Sequence, residues 1–120
     1  NEYASILAVA LDNKPIKESA RVLLQIGTTA QPTGWKVEPA SFTPRKADKP
    51  IQGYKLLSTG KGPWQIVKTR LAVTIRNAGL TRAIHVDPAG QAVAEVAVKR
   101  DGGAISFTAP EDCMYVLIAK

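Results

Sequence analysis

The sequence predicts an all-β chain: a single antiparallel β-sandwich, immunoglobulin-like or jelly-roll-like, over residues 1–120 in about eight or nine short strands. Three observations point there. Short apolar runs alternate with polar residues at a period of two. Turn signals rich in Gly, Pro, Asn and Asp recur roughly every 8–12 residues. No stretch commits to a helical period, although residues 16–26 have helix as a competing reading that the β-branched residues and Gly27 oppose. At 120 residues and 45% hydrophobic content, the chain can build one core without disulfide or metal staples and is too apolar to be disordered.

The elements follow in order. "YASILAVAL" is a strand with Leu7, Val9 and Leu11 on one face and Ile6, Ala8 and Ala10 on the other. Both faces are apolar, so the strand is expected to be covered on both sides, one of them by a neighbouring domain. "DNKPIKES" turns the chain, and "ARVLLQIG" is the hairpin partner of the first strand. Residues 28–53 are expected to be mostly loop, because Pro32, Pro39, Pro44 and Pro50 each remove a backbone donor. "YKLLS" reads as a weak short strand and "TGKGP" as a strong turn. "WQIVKTRLAVTIRN" then reads as a half-buried strand with Lys68, Arg70, Thr74 and Arg76 outward. "TRAIHVD" follows the "NAGL" turn, and "DPAG" is a type I turn. "QAVAEVAVKR" alternates imperfectly, which suggests a bulge. "AISFTAP" and "MYVLIAK" are the last strands. The start at "NEYASIL" reads as a mature fragment or a domain cut from a longer chain, and no apolar run reaches the length of a membrane span.

The net charge of +6 is unevenly spread. Residues 36–82 carry ten Lys and Arg against Glu38 and Asp48, while the two flanks are neutral or slightly acidic. Such a basic third suits an anionic polysaccharide or an acidic protein surface, or else it is a solvated face between strands. No aromatic–basic motif accompanies it, so nucleic acid is not the expected partner.

Catalytic chemistry is not expected. His85 is the only histidine, which rules out a histidine-based metal cluster and leaves no nucleophile–base–orienter set. The carboxylates of Asp12, Asp48, Asp87, Asp101, Glu111 and Asp112 sit at turns and converge on nothing in sequence. A structural Ca²⁺ at such turns lacks any EF-hand-like spacing, so no cofactor or metal is expected. Cys113 is the sole cysteine and reads as a small buried hydrophobe.

The aromatics are the more useful signal. Sugar rings stack on exposed Trp and Tyr while their hydroxyls find polar side chains. Trp35, followed by Lys36, and Trp64, followed by Gln65, both sit at turn-to-strand junctions. With Tyr54 they form the candidate carbohydrate-binding set: Trp64, Trp35, Tyr54, Gln65 and Lys36. The competing reading is core or edge packing of each Trp.

The stretch Leu11-Asp12-Asn13-Lys14-Pro15-Ile16, Ser19, Arg21-Val22-Leu23-Leu24 and Thr33-Gly34-Trp35 resembles the small β-sandwich domain that follows the catalytic (β/α)-barrel in large exported bacterial glycoside hydrolases. Asn13 stands where that pattern has Gly, which a left-handed Asn would allow. "GKGPWQIVKTRLAVTIR" and "IHVDPAGQ" are similar in place to its later strands. The resemblance implies a non-catalytic accessory domain, secreted, periplasmic or at the cell surface, with the catalytic domain of its parent chain as partner and no membrane contact. It also makes the residue after Gly34 part of the domain's own pattern. Trp35 is then expected to be structural, and Trp64 the ring that meets a sugar. The alternative is a carbohydrate-binding module. A charge-driven interaction module and a stand-alone enzyme rank behind these.

Overall fold

The computed structural model describes residues 3–46 and 48–120; Asn1, Glu2 and Ala47, the last inside the stretch expected as loop, lie outside it. The chain is all-β, with ten strands and no helix among the described residues. They are β1 (Ala4–Ala10), β2 (Arg21–Thr28), β3 (Ala30–Phe42), β4 (Ile51–Ile66), β5 (Leu71–Ile75), β6 (Arg82–Val86), β7 (Ala92–Val96), β8 (Val98–Asp101), β9 (Ala104–Ala109) and β10 (Tyr115–Ala119). Two compact units result: Ala30–Ile66 is one, and the rest of the chain is the other.

The larger unit holds a five-stranded sheet in the order β1-β2-β10-β6-β7 and a three-stranded sheet in the order β5-β9-β8, with every pairing antiparallel. Its core draws on both sheets. Val22, Leu24, Ile26, Ala83, Val116 and Ile118 come from the first, and Ile75, Ile105, Phe107 and Ala109 from the second. Alternation at period two is why these residues share a side. On the other side of the three-stranded sheet stand Thr74, Ser106, Thr108 and Lys99, with Thr74 and Ser106 hydroxyls 2.9 Å apart. That face is polar, as a solvated antiparallel face is expected to be.

The imperfect alternation of "QAVAEVAVKR" has a larger cause than a bulge. The run breaks at Ala97: β7 belongs to the five-stranded sheet and β8 to the three-stranded one. The register shift nearby falls between His85 and Val86 in the β6–β7 pairing. Likewise "WQIVKTRLAVTIRN" is not one strand. Trp64–Ile66 closes β4, and β5 starts at Leu71.

The expectation of a loop over residues 28–53 is overturned by β3 and β4, which pair along most of their length. Pro32 and Pro39 are accommodated in β3 because this sheet has only two strands, so the strand keeps a free edge where a missing N–H costs no ladder bond; Pro44 and Pro50 lie between β3 and β4. The "TGKGP" turn signal lies inside β4, not at a hairpin end. Its residues produce the register shift opposite Pro32/Thr33, and a second shift falls at Lys36/Val37.

The "DNKPIKES" turn is held by a polar cluster. Ser19, fully buried, donates its hydroxyl to Asp12 Oδ1 at 2.8 Å, and the Ala20 N–H donates to Asp12 Oδ2 at 2.8 Å. Asn13 takes the left-handed conformation, with φ 57°. Asn77, 4% exposed, donates to the carbonyls of Ile16 (2.7 Å) and Ser19 (2.9 Å) and accepts from the Gly79 N–H (2.9 Å). It thus ties the first turn to the "NAGL" turn 58 residues on from Ser19.

The Ala20 N–H first, then the Ser19 hydroxyl, hold the Asp12 carboxyl below its usual value of 3.8. A carboxyl depressed in the folded state contributes stability above its unfolded pKa and loses it as pH falls through the lower folded value. Acid titration of the urea midpoint is therefore expected to fall more steeply below about pH 4 in the native protein than in Asp12→Asn. Parallel curves would assign the acid sensitivity elsewhere.

Candidate functional site

The five-stranded sheet departs from the usual polar outer face. Because Val22, Leu24, Val116, Ile118 and Ala83 point into the core, their neighbours in the strands point away from it. The register then sets Val9, Leu23, Leu117 and Ile84 side by side in one cross-strand row over β1, β2, β10 and β6. The next row is Leu7, Gln25, Tyr115 and Val86. On the far side Arg21 and Arg82 flank Ala119. Leu7 and Val9 are exposed, Leu23, Ile84, Tyr115 and Leu117 are half-buried, and Val86 and Ala119 are buried. None of these residues belongs to the core cluster or is packed against it.

Sequence reading found the two-sided apolar character of β1 alone. The same signal was present in "VLLQ" and "YVLIA", where consecutive apolar residues must occupy both faces. It went unused because such runs do not say which strands are neighbours.

The candidate aromatic residues lie on the two-stranded unit. Trp64 is 69% exposed, Tyr54 74% and Trp35 36%, so neither Trp ring joins the core. Trp64 stands opposite Pro32, and Gln65 opposite Gln31. Trp35 stands opposite Thr59 and Tyr54 opposite Pro39. On β3, Trp35, Val37 and Pro39 alternate to one face. Tyr54 and Leu56 join them there through their pairing with Pro39 and Val37. Lys36 and Glu38 take the opposite face, where Glu38 meets Lys55 at 3.8 Å. Alternation along β3 therefore sets Trp35 and Tyr54 on one side, about 13 Å apart along the strand at a rise of ~3.3 Å per residue, with the register shift at Lys36/Val37 between them. It does not bring Lys36 to them, and a register shift separates them from Trp64.

Asp87 Oδ1 accepts the N–H groups of Ala89 (2.9 Å) and Gln91 (2.8 Å), closing the "DPAG" turn. His85 lies in register with Val116 and Ala94. Cys113 is 3% exposed, and burial pushes its thiol pKa up, which leaves little of the reactive thiolate at neutral pH. Among the described residues no group of three His, Cys, Asp or Glu is placed to hold a metal ion, and no helix is long and apolar enough to cross a membrane.

No protein-family model, curated protein or solved structure matches the chain.

Proposed function

We propose that the larger unit is a two-layer β-sandwich acting as a non-catalytic accessory domain of a secreted, polysaccharide-degrading glycoside hydrolase. It docks on the catalytic domain of the same chain through the outer face of its five-stranded sheet. The observation that carries this reading is the cross-strand row Val9, Leu23, Leu117 and Ile84. An antiparallel sheet with one solvated face normally alternates apolar-in and polar-out. The three-stranded sheet of the same unit obeys that rule and the five-stranded sheet does not. A contiguous apolar patch of this kind marks an interaction surface. The glycoside hydrolase assignment rests on the resemblance over residues 4–35. The reading gives the domain no catalytic step; its contribution is to the stability of the parent.

A second reading is favoured by the exposure of Trp64 and Tyr54 at 69% and 74%. A polysaccharide stacked on these rings would make the two-stranded unit a carbohydrate-binding arm, and the basic residues of that unit suit an anionic glycan.

One pair of measurements separates the readings. Leu117→Lys in the chain joined to its neighbouring domain should lower the melting temperature of the whole by several degrees. In the isolated domain the same change should leave it nearly unmoved. Equal effects in both would sink the docking reading. Affinity electrophoresis on neutral and anionic polysaccharides tests the other. Retardation that Trp64→Ala weakens by about 1–3 kcal/mol, the scale of aromatic stacking on a ring, supports the binding arm, and absence of retardation removes it.

A further inference from the structure

We infer that the free edge of β1 is a strand-pairing surface that takes β1 of a second copy of this chain, antiparallel, about a two-fold axis at Leu7.

The first ground is the hydrogen-bond phase. Leu11 N–H donates to the Arg21 carbonyl at 2.9 Å, and Ile26 N–H donates to the Met114 carbonyl at 2.8 Å. Together they fix which residues bond where. Odd-numbered residues of β2 turn to β1 and even-numbered ones to β10. On β1, then, Ser5, Leu7, Val9 and Leu11 bond inward, while Ala4, Ile6, Ala8 and Ala10 aim their N–H and C=O groups at the open edge.

The second ground is how the other edges of this unit are guarded. Natural sheets blunt their edges with charge, bulges, proline or short length. β7 has the register shift at His85/Val86 and carries Glu95. β8 is four residues long and contains Lys99, Arg100 and Asp101. β5 is five residues long and lies between Arg70 and Arg76. β1 is seven residues long, ASILAVA, with no charge and no proline. Ile6, Leu7 and Val9 on it are 50%, 54% and 41% exposed.

The third ground selects the occupant. A two-fold axis at Leu7 sets Ile6 of one copy against Ala8 of the other, Ala4 against Ala10, and Ser5 against Val9. The four outward-bonding residues of each copy face those of the other, so every open backbone group finds a partner. Ile6 and Val9 each meet a small residue, and at the axis Leu7 meets its own copy. On the outer face, Ser5, Leu7, Gln25 and Gly27 line a notch of about 220 Å³, and Val9 of the second copy falls beside Ser5 at its mouth. The pairing leaves the outer apolar row free, so it does not depend on the docking reading and does not compete with it.

Each copy carries +6, and like charges oppose the encounter. Salt screens that repulsion over a Debye length of about 8 Å at physiological ionic strength. Association is therefore expected to strengthen as salt rises. An interface made only of two strand edges is small beside the roughly 1,200–2,000 Å² of stable complexes, so the equilibrium is a concentration-dependent monomer–dimer one.

Sedimentation velocity over a concentration series at low and high salt tests this. The expected result is a dimer and nothing larger, tighter in high salt. Ala8→Pro removes an N–H that the fold itself does not use, and edge strands tolerate proline there. It should keep the unfolding midpoint and weaken dimerisation at least tenfold. Leu7→Cys should form a disulfide dimer on mild oxidation, because the two residues at the axis face each other directly, whereas Val93→Cys on β7 should not. A monomer at every concentration, open-ended oligomers, a dimer indifferent to Ala8→Pro, or equal cross-linking of both cysteine variants would each overturn the inference.

Discussion

Asn77→Ala is expected to cost roughly 2–4 kcal/mol of unfolding free energy, read from urea denaturation of the native protein and the variant. The side chain is 4% exposed and makes three bonds, two donated to the Ile16 and Ser19 carbonyls and one accepted from the Gly79 N–H. Alanine leaves three backbone groups near the interior without their partner. Each such group costs about 1–3 kcal/mol when water cannot replace the bond, and less where it can. Asn77→Asp sharpens the point. It keeps the acceptor for Gly79 but sets a carboxylate oxygen against two carbonyls, so it should destabilise as much or more. A loss under about 0.5 kcal/mol for both variants, the range of an ordinary surface change, would show that the turn at residues 12–20 does not lean on Asn77.

Gly60→Ala is expected to remove more than about 2 kcal/mol from the two-stranded unit while leaving the core of the larger unit intact. Gly60 has φ +66°, and a Cβ there would stand 2.5 Å from the Thr33 carbonyl oxygen and 2.8 Å from the Trp35 nitrogen, both backbone atoms. Left-handed geometry alone costs a non-glycine residue about 1–2 kcal/mol; the clash adds to it because backbone cannot swing aside. Gly34 faces Gly60 with φ +81°, but a Cβ on it meets nothing nearer than 3.9 Å. Gly34→Ala should therefore pay the conformational part alone. Hydrogen exchange of β3 and β4 amides reads the difference, with β2 and β10 amides as the internal reference. Equal effects at the two glycines would mean that the strands can part at Gly60 without loss.

These two sites show what could be read from the chain and what could not. The "PTGW" and "TGKGPW" stretches were legible as places needing special backbone, since Gly and Pro punctuate both. Their meaning was not. Read singly, each looks like a chain reversal, but they lie on opposite strands at one level of a long hairpin, where Gly60 leaves room for the backbone of residues 33–35. The prolines misled for a related reason. They exclude a strand bonded on both sides, and only the pairing reveals that β3 and β4 are bonded on one. Asn77 was read as a turn residue, which it is. Its bonds to Ile16 and Ser19 join segments far apart in sequence, and no local pattern carries that.

The sequence by itself determined the class of structure, because the period of two and the spacing of turn residues are local properties of a pleated chain. It determined that β1 has two apolar faces. It determined which aromatic residues were worth following. The tertiary structure decided which residues became neighbours. It aligned Val9, Leu23, Leu117 and Ile84 across four strands, set Trp35 and Tyr54 on one side without Lys36, split one apparent strand between two sheets at Ala97, and left β1 at an edge. The physical reason is the same in each case. Alternation fixes the side on which a residue stands, whereas register and strand order depend on contacts between distant segments that no short window of sequence contains.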